Sequence, residues 1–216
     1  MVPENAPHRL IVEGPNDKHT IIHLMKLAGL DWDKPDPRAP FMEEAGGYEK
    51  ALESVGISIK TRYERLGIVI DANRNPADHW AQLRSRLARA DVNLPESPIP
   101  EGTVVPGAFS GNSLGVWLMP DNQRPGALEH LLIDMIPQDS PLWPFVQETT
   151  REARNRGASF PENALDKASV HTWLAWQEEP GLPFGSAVKA HYFRTNCKIA
   201  SAFIAWFRRL FLETPA

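Results

Sequence analysis

The sequence predicts an α/β domain with a mainly parallel central sheet, helices on both faces and a helical C-terminal part. Two observations predict the sheet. Short apolar runs alternate with segments of helical spacing over residues 1–140, and one run, Leu66 to Ile70, is apolar throughout, as expected of a strand covered on both faces. A third observation predicts the extension: residues 141–216 carry only helical patterns. They are read as packing on the first part to make one compact unit.

In chain order, His8 to Glu13 (HRLIVE) reads as a short buried strand closed by Gly14-Pro15. A helix follows from about Asp17 to Leu30, with Ile21, Ile22, Met25 and Ala28 on one face. Phe41 to Ala45 reads as a second short strand, and Gly46-Gly47 leads into a helix from about Tyr48 to Arg65. Leu66 to Ile70 (LGIVI) is the clearest strand and ends in Asp71-Ala72-Asn73. Asn75 is placed as N-cap and Pro76 at the first position of a helix reaching about Ala90. Thr103 to Pro106 and Leu114 to Met119 read as two more strands, and a helix covers Leu128 to Ile136. The extension holds helices near Leu142 to Asn155, Ala164 to Glu179 and Cys197 to Leu212. Phe203, Trp206, Phe207 and Leu210 make the last one strongly apolar, which predicts packing over the sheet, with a partner interface as the alternative.

Hydrophobic residues make up 42% of the chain and charged residues 23%, enough for a sizeable core. Twenty prolines cluster between apolar segments, which predicts short, stiff loops. The single cysteine, Cys197, excludes an intrachain disulfide and a multi-cysteine zinc site, and its place at the head of an apolar helix predicts a buried thiol. No basic-then-apolar leader is seen at Met1, and no apolar run approaches the roughly 20 residues a bilayer requires, so a cytoplasmic protein without membrane contact is expected. A formal net charge of -4 excludes a strongly basic nucleic-acid binder. It leaves room for a metal-dependent nuclease, whose acids hold cations while basic patches elsewhere grip phosphate. Ser110 to Gly115 is not followed by Gly-Lys-Ser/Thr and no Gly-x-Gly-x-x-Gly occurs, so nucleotide-cofactor readings have no support.

In parallel α/β sheets, functional groups gather beyond the carboxyl ends of the strands. Glu13 ends the first strand and Asp71 the most apolar one. Desolvating a lone carboxylate is costly, and a divalent cation is a common remedy for two that converge. Mg²⁺ binds through one or two carboxylates and keeps several waters, leaving room for a phosphate oxygen. Gly14 is expected to let the backbone turn sharply after Glu13. The bland alternative is that both acids merely cap loops or helices.

Ile11-Val12-Glu13-Gly14 with Asp17-Lys18, and Ile68-Val69-Ile70-Asp71-Ala72-Asn73, resemble the Toprim signature: a strand ending in Glu-Gly, and a later one ending in Asp-x-Asp. Toprim domains occur in topoisomerases, bacterial primases and OLD-type (overcoming lysogenization defect) nucleases. The chain also resembles small stand-alone Toprim-like proteins of a domain family with no assigned function, through Trp117 to Asn122 and Lys167 to Gln177 (KASVHTWLAWQ) with Pro180 and Gly185. The resemblance implies a Toprim fold and metal-dependent phosphodiester chemistry on nucleic acid. Glu13 would be general acid/base or ligand, and Asp71 a ligand for Mg²⁺ or Mn²⁺. Asn73 departs from the pattern, since it offers a cation a carbonyl oxygen but no charge. Lysines serve in nucleases of this fold, which points to Lys167. A separately encoded ATPase is a partner the resemblance suggests.

Asp17, one helical turn beyond Glu13, is a further ligand candidate, or a charge stabilising a helix N-terminus. Asp121 in Pro-Asp-Asn reads better as a turn residue. Lys167 and His171 share a helix face, with a surface lysine and a packing histidine as the plainer readings. His79 with Arg84, Arg86 and Arg89 reads as a solvated face; with Lys189, Arg194 and Lys198 these arginines form a candidate grip on a phosphate backbone. Two functions therefore stand side by side: a Mg²⁺-dependent nuclease, and a catalytically degenerate module that binds nucleic acid, a nucleotide or a protein partner. A phosphotransfer protein of receiver or phosphohydrolase type ranks below both, because it needs an aspartate where Glu13 stands.

Overall fold

The computed structural model of the protein describes residues 2–213 apart from 35 and 62. Its first part comprises β1 (His8–Val12), α1 (Pro15–Leu27), β2 (Phe41–Glu44), α2 (Tyr48–Ser58), β3 (Arg65–Asp71), α3 (Pro76–Ala88), β4 (Thr103–Phe109), β5 (Asn112–Met119) and α4 (Leu128–Met135). Then follow α5 (Leu142–Asn155), a 3-10 turn (Glu162–Ala164), α6 (Leu165–Ala175), α7 (Phe184–Lys189) and α8 (Lys198–Phe211). No described helix is long and apolar enough to cross a membrane.

The five strands form one sheet in the order β2-β1-β3-β5-β4. The first four pair in parallel, and β4 joins the edge antiparallel through a tight connection to β5. The mainly parallel sheet flanked by helices is thus the architecture the alternating pattern predicts. Side chains of successive strand residues point to opposite faces, and the core divides accordingly. Ile11, Leu66, Ile68, Ile70, Val116 and Leu118 meet α2 and α3 on one face. Leu10, Val12, Val69, Trp117 and Met119 meet α1, α4, α6, α7 and α8 on the other.

Several boundaries differ from expectation. The second helix stops at Ser58 instead of near Arg65, and β4 runs on to Phe109 past Pro106, with a register shift after Val105. Helix α7 falls in what reads as a loop, because six residues behind Pro183 are too few to show a helical period. Asn75 does cap α3: its side chain accepts a hydrogen bond from the Asp78 N–H at 3.3 Å.

Helix α8 lies against the sheet because two glycines make room for it. Gly67 and Gly115 are register partners on β3 and β5. A Cβ on Gly115 would stand 2.3 Å from Leu210 Cδ2, and one on Gly67 3.0 Å from Phe211 Cζ and 2.6 Å from Leu10 Cδ1. The missing side chains form a groove that receives the last turn of α8. Arg65 then donates to the Leu210 carbonyl at 2.9 Å, and Trp206 Nε1 to the Thr103 carbonyl at 3.0 Å. Phe203, Trp206 and Phe207 are fully buried, with Trp117 packed edge-on to Phe203 at 5.2 Å between centroids. Cys197 is half-buried rather than buried, because it sits at the exposed head of this helix.

Trp206→Ala should cost about 3–5 kcal/mol of stability through the cavity it leaves. Gly115→Ala should cost about 1–3 kcal/mol through overpacking against Leu210. Urea titrations check both as midpoint shifts at an unchanged slope.

Candidate functional site

The site lies beyond the carboxyl ends of β1 and β3. A pocket of about 290 Å³ is lined there by Glu13, Asp17, Asp71, Glu129 and Lys167, with Gly14, Asn16 and Gly47 at its margins. Glu13, Asp17, Asp71 and Lys167, drawn from three distant stretches of sequence, meet in it. Asn73 does not: it is exposed, adopts a left-handed conformation (φ 49°), and its backbone bridges to that of Gly126. Asp121 does not either. It caps its own turn by accepting from the Gln123 and Arg124 N–H groups and pairs with the Arg124 side chain, as the turn reading expects.

Glu13 is held from two sides. Its carbonyl accepts the N–H groups of Gly46 and Gly47, each at 2.9 Å. These glycines have φ of 84° and 116°, a region that residues with a Cβ rarely adopt. Its Oε1 accepts the Asp71 N–H at 2.8 Å, which ties the end of β1 to the end of β3 and leaves Oε2 for other partners. Gly14 does not make the sharp turn expected of it. It is extended (φ -157°), and its N–H donates to Asp17 Oδ2 at 3.1 Å, closing the first turn of α1.

Glu129, at the start of α4, escapes sequence reading because no strand end or motif marks it. It ion-pairs with Lys167 at 3.0 Å. One residue on in α4 and one residue back in α6, His130 Nε2 meets Asp166 at 3.1 Å, while His130 Nδ1 accepts the Ala127 N–H at 3.1 Å. That bond leaves the proton of the neutral ring on Nε2, facing Asp166. Two neighbouring pairs thus clamp α4 to α6 at the pocket's rim. His79 is half-buried rather than on a solvated face: its Nδ1–H donates to the Asp71 carbonyl at 2.9 Å and its ring packs on Tyr48 at 4.2 Å.

The electrostatics follow from this crowding. Burial, then the charges of Asp17, Glu13 and Glu129, push the Asp71 carboxyl up to about 8. Burial and the charges of Glu13 and Glu129 push Asp17 up to about 7. Glu13 is raised chiefly by burial. Asp71 Oδ1 is buried with no hydrogen-bond partner. An oxygen of this kind, beside three other carboxylates, is short of positive charge or of protons. Among the described residues no three His, Cys, Asp or Glu side chains stand in metal-holding geometry. Mg²⁺ takes one or two carboxylates and fills its shell with water, and Asp71 Oδ1 and Asp17 are the carboxylate groups of the pocket that could hold one.

A larger cavity of about 700 Å³ lies between the starts of α5 and α8, lined by Trp117, Trp143, Ile133 and Ile199. Its one arginine, Arg124, is already shared by Asp121 and Asp134, and no buried polar atom without a partner lines it. The arginines of α3 and the cations of α7 and α8 lie on opposite faces of the sheet, so they form no common grip.

Fold and site together define an α/β protein with an acid-lined pocket at the carboxyl edge of a mainly parallel sheet. The chain belongs to the DUF3226 family, described as proteins of unknown function, whose model matches residues 7–212. No curated protein and no solved structure matches it.

The crowding predicts a pH dependence of stability. An acid whose pKa is higher in the folded chain binds protons better when folded, so its contribution is whole below the unfolded value of 3.8 and is lost as pH rises through the folded value. Stability should therefore fall as pH rises toward about 7 for Asp17 and about 8 for Asp71. Asp71→Asn should flatten the upper part of this decline and make the protein more stable than wild type at alkaline pH, as read from urea midpoints across a pH series.

Proposed function

We propose that the protein carries out metal-dependent phosphodiester chemistry on nucleic acid, as a Toprim-type nuclease. The observation that carries this reading is the unpartnered, buried Oδ1 of Asp71 among Glu13, Asp17 and Glu129, with Lys167 at the rim. The resemblance of the Glu13-Gly14 and Asp71-x-Asn73 segments to the Toprim signature supports it, as does the parallel pairing that sets both acids at one edge.

Asp71 and Asp17 would hold the cation, and Glu129 would complete the set on leaving Lys167. A divalent cation, when bound, supplies polarisation of the phosphoryl group and a lowered pKa for bound water. Glu13, anchored through Oε1, would take the proton of the attacking water at Oε2. Lys167, freed from Glu129, would face the charge that develops on the phosphate. His79 would keep the Asp71 backbone in place from the opposite face of the sheet. Asn73 has no part in this set, because its side chain is exposed outside the pocket.

Calorimetric titration with Mn²⁺ and cleavage of single- and double-stranded DNA with Mg²⁺ or Mn²⁺ test the proposal. Asp71→Ala should abolish metal binding and cleavage together. Lys167→Ala should keep the metal and lower turnover about 10²-fold, the usual cost of losing one group that stabilises developing charge. Asn73→Asp should leave Mn²⁺ affinity near that of the wild type. Wild-type protein that neither binds Mn²⁺ nor cuts either substrate would sink the nuclease and leave a non-catalytic binding module.

A further inference from the structure

One row of groups leads away from the pocket, and beyond its first member it has no role in the reading above. It begins at Lys167 on the rim and continues one helical turn along α6 to the exposed His171. The His171 ring stacks on Phe184, the first residue of α7, at 4.7 Å between centroids. The next residue, Gly185, packs against His19 of α1 so closely that a Cβ there would stand 2.8 Å from the His19 backbone. His19 is exposed, and His23 follows it one turn along α1. The His23 Nδ1 is buried with no hydrogen-bond partner, and the ring lies within the field of Lys189, at the end of α7. Lys167, His171, His19, His23 and Lys189 thus follow one another across α6, α7 and α1.

The chemistry of the row is that of a phosphate track. Neutral imidazoles donate N–H hydrogen bonds to phosphate oxygens, and lysines supply charge. Two other cations of α1 are occupied, Lys18 by Glu44 and Lys26 by Asp31 and Asp33. Lys189 has no acid within ion-pair distance among the described residues, and its position is exposed. The row includes a full helical turn on each of two helices, about 5 Å apiece, with the head of α7 between them. That is longer than a single phosphate and suits successive phosphates of a strand. The acidic pocket alone repels a polyanion, so a row of donors beginning at its rim supplies attraction the pocket lacks.

We propose that the backbone of a nucleic-acid strand, one of whose phosphates lies at the acidic pocket, runs from Lys167 over the head of α7 to Lys189. This inference rests on the phosphodiester reading of the pocket.

The test is binding of a fluorescein-labelled single-stranded oligodeoxynucleotide in EDTA, where no cleavage occurs, followed by anisotropy over a range of salt concentrations. Lys189→Ala should weaken binding severalfold and reduce the slope of log affinity against log salt by about 1, the loss of one phosphate contact. His19→Ala should weaken binding severalfold, through the loss of a hydrogen-bond donor to phosphate. Arg89→Ala, on the opposite face of the sheet, should bind like wild type. Circular dichroism melts verify that each variant is folded. Equal binding by wild type, Lys189→Ala and His19→Ala overturns the row, as does equal loss in Arg89→Ala or a wild type that does not bind. Hydrolysis of bis(p-nitrophenyl) phosphate by the wild type with Mn²⁺ reads the pocket separately, since that diester is too small to reach Lys189. Binding without such hydrolysis overturns the pocket's chemistry and keeps the row; hydrolysis with unchanged binding in the variants does the reverse.

Discussion

Parallel pairing of β1 with β3 is the constraint from which the site follows. With Val12 level with Val69, the residue that follows β1 comes within hydrogen-bond reach of the Asp71 amide, and Glu13 Oε1 accepts it. Two carboxylates are thereby brought to one edge by strand register alone. The first turn of α1 adds Asp17, and the first turn of α4 adds Glu129. Each added charge raises the cost of ionising the others, so the pocket is held at a protonation state that a cation would change. Its helices are kept in place by the Glu129–Lys167 and Asp166–His130 pairs on one side, and by His79 under the Asp71 carbonyl on the other.

The sheet separates two tasks. On the face of α2 and α3 the packing is mainly aliphatic, built from Ile11, Ile68, Ile70, Leu83 and Val116 with Trp80 and Phe109 among them, and its contribution to the site is backbone support. The opposite face is aromatic-rich and carries α1, α4 and α6, whose residues Asp17, Glu129 and Lys167 line the pocket. Helix α8 anchors that layer, and it can do so only because Gly67 and Gly115 stand side by side beneath Leu210. The last helix and the middle of the sheet are therefore one packing unit, although about a hundred residues separate Gly115 from Phe211 in the chain. Size alone would point to the larger cavity near Trp143 as the working site. The proposed phosphodiester chemistry rests on the smaller one, where, among the described residues, the one buried carboxylate oxygen without a partner lies.

Much of this was legible before the structure. The apolar run at Leu66 to Ile70 identified a central strand, and the acids closing it and the first strand identified the edge at which the acidic pocket lies. These signals are local: strand periodicity and the oddity of a charge next to a buried run act over a few residues. Lys167 entered through family resemblance and helix position, and does line the pocket. Glu129 and His79 were illegible in their roles because nothing within a few residues of either marks it. Their functions exist only through partners on other elements, Lys167 in one case and the Asp71 carbonyl in the other. Asn73 was misplaced for the complementary reason: a three-residue motif reads as one direction in space, whereas Asn73 turns left-handed immediately after the strand and pairs its backbone with Gly126.

The sequence by itself determined the mainly parallel α/β order, the two strand-end acids, the Asn75 cap and the apolar last helix, because each depends on short-range periodicity and backbone chemistry. Tertiary structure alone decided that four carboxylates and one lysine share a pocket, that their crowding raises Asp17 and Asp71, and that imidazoles of α1 and α6 line up across α7. The physical reason is that electrostatic coupling falls with distance in space, and distance in space is set by strand register and helix docking rather than by separation along the chain.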